Sequence, residues 1–138
     1  SMRVTSSGLE DEGLIAEAIS IMIGDPDLVD MEKTNSYHGS PIFLISATTR
    51  KNKLALKTIS RLGKKNIEDL RTTIDQRLDE NNTLHFRIGL DELICGNAVM
   101  VTPGGKSVKF QIKLEVYPGQ SVTQETDLFL QDALLLCE

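Results

Sequence analysis

Residues 107–117, SVKFQIKLEVY, alternate without a break. Val108, Phe110, Ile112, Leu114 and Val116 take one side; Lys109, Gln111, Lys113 and Glu115 take the other. A period of two marks a β-strand, whose successive side chains leave from opposite faces. The five apolar residues need a core above them and the polar set needs water. The segment therefore requires a sheet with one covered and one wet face, the usual condition of antiparallel sheets. Residues 84–90 repeat the pattern, with Leu84, Phe86, Ile88 and Leu90 inward and His85 and Arg87 outward.

The rest of the chain supplies partners for such a sheet. Residues 2–7 read as a strand. Ser7 is expected to cap a helix running to Ile23, with Glu10 as its capping-box partner and Ile15, Ala18, Ile19 and Met22 inward. Gly24 and the turn Asp25-Pro26-Asp27 end that helix. Residues 28–37 read as a strand of poor alternation, and 41–48, PIFLISAT, as an apolar interior strand. Helices are expected from residue 50 to Gly63, over 66–79 with Ile67, Leu70, Ile74 and Leu78 on one face, and over 126–136. Residues 98–102 are expected to pair with 107–117 as a hairpin around Thr102-Pro103-Gly104-Gly105, a type II turn. The order β-α-β-β-α-α-β-β-β-α implies an α+β fold: a two-layer sandwich, mostly antiparallel, with helices on one face and a single domain over 1–138.

Charge is distributed unevenly. The formal net charge is -5, yet residues 50–65 carry seven of the 15 Lys and Arg and no acidic residue. At about 100° per residue, Arg50, Lys53, Lys57, Arg61 and Lys64 fall in one stripe, opposite Ala55, Ile59 and Leu62, with Lys51 and Lys65 flanking it. A solvated helix face is the plain alternative. Here, however, no carboxylate interleaves to form i,i+4 pairs, so the like charges repel at a cost in stability. A row of uncompensated cations is matched to a polyanion, and His85, Arg87, Lys109 and Lys113 share the wet side of the sheet. Phe86 and Phe110 have buried parity and the chain has no Trp. No aromatic platform for stacking single-stranded bases is therefore expected, and contact with phosphates of structured RNA is.

Other chemistries find little support. No apolar run reaches the roughly 20 residues of a membrane helix. No leader pattern is visible, which sets the expectation of a cytoplasmic protein. Cys95 and Cys137 form no CxxC pair, and Cys95 is expected to be a small buried hydrophobe. Gly104-Gly105-Lys106-Ser107 resembles the end of a P-loop, but Met100 stands where the pattern needs Gly, and a strand, not a helix, follows. Neither His38 nor His85 has a ligand partner at metal spacing. Asp91 and Glu92 are adjacent and point apart in an extended chain. The expectation is a protein without catalytic residues, metal or cofactor.

Several landmarks together are similar to those of a known family. They are Ser7-Gly8-Leu9-Glu10-Asp11-Glu12 before a helix, Tyr37-His38-Gly39-Ser40-Pro41-Ile42 entering a strand, Asp79-Glu80-Asn81-Asn82-Thr83-Leu84 entering another, Gly96 in LICGNA, and residues 107–118. The chain resembles the archaeal RNA-binding family described as a predicted exosome subunit, whose fold is likened to ribosomal protein L-five. Leu9 stands where that family usually has Thr. The resemblance implies an RNA-binding protein tied to exosome RNA processing or to the ribosome. It also implies that the basic residues of 50–65 carry the contact. The expected partners are structured RNA and exosome or ribosomal proteins, with no membrane. A homodimer is expected through an edge strand at 2–7 or 98–102. The alternative is a protein-interaction module that docks on such an assembly without touching RNA.

Overall fold

The computed structural model describes residues 1–8, 12–35, 41–101 and 106–137. His38, Glu10 and the turn at 102–105 lie outside the described residues. Five strands form one antiparallel sheet: β1 (Met2–Gly8), β2 (Val29–Asn35), β3 (Pro41–Thr49), β4 (Thr83–Gly89) and β5 (Ser107–Lys113), in the order β2-β3-β1-β5-β4. The helices are α1 (Glu12–Ile23), α2 (Asn52–Ser60), α3 (Lys64–Thr72), α4 (Ile74–Arg77), α5 (Leu90–Ile94) and α6 (Val122–Leu135). A short 3-10 turn at Pro26–Leu28 leads into β2, with the Asp25 carboxylate accepting from the Asp27 N–H. The α+β class expected from the alternation is the class found.

Cross-strand register fixes which side chains share a face. Val4 lies between Ala47 and Phe110, Phe110 opposes Phe86, and Ile112 lies between Met2 and Leu84. All of these are buried. The Phe86 and Phe110 rings stack with centroids 4.7 Å apart. From the helix layer Ile15, Ile19 and Ile23 of α1, Ala55 and Ile59 of α2, Ile67 and Leu70 of α3, and Phe129, Leu130 and Ala133 of α6 close over this face. The residues of α1, α2 and α3 recur at three or four positions, and in α6 both Phe129 and Leu130 lie one turn before Ala133, as an amphipathic helix requires. Phe129 and Leu130 alone cover about 4 kcal/mol of hydrophobic transfer.

The structure corrects several expectations. Residues 98–101 do not pair with β5. They lie along β4, through an Ile88–Met100 bridge and the bonds Gly89 N–H to Val99 carbonyl (2.9 Å) and Val101 N–H to Arg87 carbonyl (3.0 Å). The helix α5 separates them from β4, so the chain turns back on that strand. β5 stops at Lys113, short of Tyr117. The helix over 66–79 is broken at Thr73, whose φ of -121° and ψ of 19° leave the helical region. Ser7 belongs to β1, opposite Leu44, and so cannot stand outside the strand as a helix cap. β1, expected as an edge, is the central strand, so it offers no free edge for pairing between subunits. Cys95, expected in the core, is exposed, because α5 ends there with its apolar side at Leu90 turned inward.

Candidate nucleic-acid interface

The basic segment does not form one row. Lys51 precedes α2 as its N-cap residue and Arg50 lies before it in the link from β3. Gly63, at φ 88° and ψ 158°, then turns the chain, so that Lys64 and Lys65 begin a separate helix, α3. Only Lys53 and Lys57 project from α2 itself, diametrically opposite the buried Ala55 and Ile59, and away from the core. Arg61 has another task. Its Nη1 donates to the Met22 carbonyl at 2.9 Å, which satisfies a backbone acceptor in the last turn of α1. The five-cation stripe is thus divided among a link, two helices and a cap.

The uncovered face of the sheet gathers what the helix does not. Register opposes Arg87 directly to Lys109, and Lys109 in turn to Thr5. The neighbouring row runs from His85 through Gln111 to Arg3 and Thr48, and Lys113 opposes Thr83. The expected grouping of His85, Arg87, Lys109 and Lys113 on one side is therefore the arrangement found. Arg3 is an addition. Its signal was present, because Met2 and Val4 are apolar and Arg3 lies between them. Without a parity assigned to β1, however, Arg3 could not be placed.

Like charges directly opposite across two strands are destabilising by a few tenths of a kcal/mol or more. Arg87 softens its position by donating from Nη1 to Ser107 Oγ at 3.0 Å. Among the described residues, neither Arg3, Arg87, Lys109 nor Lys113 lies within ion-pair distance of a carboxylate; the pairs formed are Arg71–Glu68, Arg71–Asp127 and His85–Asp79. His85 Nε2 and Asp79 Oδ2 are 2.7 Å apart. The same Asp79 accepts at Oδ1 from the N–H groups of Asn81 and Thr83. These bonds, with that to His85 foremost, hold its carboxyl below the ordinary carboxylate range. Asp79 thereby stiffens the loop entering β4.

The sign of the face changes across the sheet. At the β2 edge the same face carries Asp30, opposite Ser46, and Glu32, opposite Leu44. A polyanion is thus attracted toward β1, β5 and β4 and repelled from β2. At the end of the sheet Lys113 shares a cleft of about 500 Å³ with Arg50 and Lys51, and that cleft also holds Glu115, Glu125 and Asp132. Arg50 and Lys51 so adjoin the sheet cations through mixed charge. Lys53, Lys57, Lys64 and Lys65 are exposed on the helix layer, apart from the open face. Among the described residues no cluster of His, Cys, Asp and Glu could hold a metal.

A family model described as RNA binding matches residues 1–114. The chain belongs to this archaeal RNA-binding family. The matched span includes all five strands and the whole of the open face. Solved structures share the fold. Protein AF2318 from Archaeglobus fulgidus, of DUF54, superposes with a TM-score of 0.70 at 24% identity, covering 94% of this chain and 96% of that one. Mth689, a DUF54 protein from Methanothermobacter thermautotrophicus, gives 0.67 at 24%, with 96% of each chain covered. Protein SSO0741 from Sulfolobus solfataricus, also DUF54, gives 0.70 at 16%, covering 96% and 98%. No curated protein matches the chain.

Proposed function

We propose that this member of the family binds structured RNA through its phosphate backbone, with the open face of the sheet as the main contact. Arg3, Arg87, Lys109 and Lys113 make the principal contacts, and Arg50 and Lys51 extend them around the end of the sheet. Lys53, Lys57, Lys64 and Lys65 act as a secondary, long-range field from the helix layer. The observation that carries the reading is the opposed pair Arg87 and Lys109, which has no carboxylate partner among the described residues. The aromatic rings of β4 and β5, Phe86 and Phe110, face the core, so base stacking on them is excluded and contact falls to phosphates and shape. We place the protein in RNA processing or translation, at the exosome or ribosome, in a non-catalytic role in the cytoplasm.

The test is a titration against duplex RNA with two charge-reversed variants. Arg87→Glu with Lys109→Glu is expected to weaken binding about tenfold or more. Lys53→Glu with Lys57→Glu is expected to weaken it less. Equal affinity of wild type and the sheet variant would refute the open face as the site.

A further inference from the structure

The helix α1 is apolar almost all round, EGLIAEAISIMI. Such helices are normally enclosed. Ile15, Ile19 and Ile23 are buried against the sheet, yet Ile21 is 67% exposed and Leu14 is 47% exposed, seven residues apart on one side of the helix. Together with Ala18 and Met22 they form one wall of a groove of about 280 Å³, whose other wall is Leu93, Ile94 and Ala98. A single exposed isoleucine is ordinary; an apolar stripe along a groove marks a surface that is covered by something.

Two charges on the rim say what fits. Glu17 lies four residues before Ile21. Arg61 lies just after it, because its guanidinium is anchored on the Met22 carbonyl and would touch a Cβ at Gly24. That anchor uses one of the guanidinium's five N–H donors. Among the described residues Glu17 and Arg61 have no ion-pair partner. An acid and a base on either side of a central apolar residue form a self-complementary pattern. When two such helices pack antiparallel about a two-fold axis, opposite ends meet, and a surface of this kind fits a copy of itself.

We propose that α1 is a self-association face, covered by α1 of a second copy of this chain. Ile21 packs near the axis against the partner's Ile21, and Glu17 faces the partner's Arg61 on either side. The antiparallel arrangement also sets the helix dipoles head to tail. The proposal goes beyond RNA binding and is independent of it, since α1 lies on the covered side of the sheet and both open faces stay free.

Sedimentation of the full chain over micromolar concentrations tests it. Wild type is expected to be dimeric, and Ile21→Glu is expected to raise the dissociation constant about thirtyfold or more. Glu17→Arg, which sets Arg against the partner's Arg61, is expected to weaken the dimer as well. Both positions are exposed, so thermal melting should match wild type; if Ile21→Glu unfolds the chain, Leu14→Glu takes its place. A monomeric wild type, or a dimer that survives Ile21→Glu, would overturn the proposal. Per-chain affinity for duplex RNA, measured on the same variants, is expected to be unchanged, so loss of the dimer and loss of the RNA site are read separately.

Discussion

At the scale of single residues, the clearest division is between cations that are used up by the fold and those that are not. Arg71 pins α3 to α6: its Nε donates to Asp127 Oδ1 at 2.8 Å, and Nη1 donates to Glu68 at 3.2 Å. The hydrogen bond from Arg71 is the main reason that the Asp127 carboxyl lies below its ordinary range, and Gln131 adds a second bond. A carboxyl whose folded pKa is depressed stabilises the fold above its unfolded value, and that stability is lost as pH falls through the folded value. Melting temperature is therefore expected to drop on acidification below about pH 4. A pH series of thermal melts should show a shallower drop for Asp127→Asn. An identical profile would mean that the bond contributes nothing. Parity made Arg87, Lys109 and Lys113 legible in the sequence. Arg61 was not, because nothing in a run of residues reveals that a guanidinium will cap a helix 39 positions earlier.

At the scale of elements, Gly63 decides the shape of the basic segment. Its φ of 88° with ψ of 158° lies in a region reserved for glycine. A Cβ there would meet no atom within 4 Å, so the cost of a side chain is backbone strain alone. Gly63→Ala is expected to lower stability by about 1–3 kcal/mol in denaturant unfolding. A change within error would show that the α2–α3 turn relaxes without loss. The helical period of 50–62 and the glycine stop were both visible in the sequence. That Lys64 starts a helix at a new angle was not, since the angle depends on how α3 packs against α6. The same limit applies to residues 98–101. Their apolar, turn-flanked pattern fits a strand, but the pattern does not name the neighbour, and α5 turned them toward β4 instead of β5.

At the scale of the whole molecule, strict alternation in β4 and β5 and helical periods in α1 and α6 were enough to give the α+β sandwich and its wet face. Strand order was not legible, because pairing of β1 with both β3 and β5 spans most of the chain and leaves no local trace. That order matters for function. It brings Arg3 beside the β4–β5 cations and sends Asp30 and Glu32 to the far edge, so a protein of net charge -5 presents a positive half-face. The salt dependence of RNA binding measures this face most directly. With about five phosphates neutralised, the log-log slope of affinity against salt is expected near -4 for wild type. It should flatten by about 2 when Arg87 and Lys109 are both changed to Glu. A wild-type slope near zero, or one that the double variant leaves unaltered, would contradict the assignment of the open sheet face as the RNA contact.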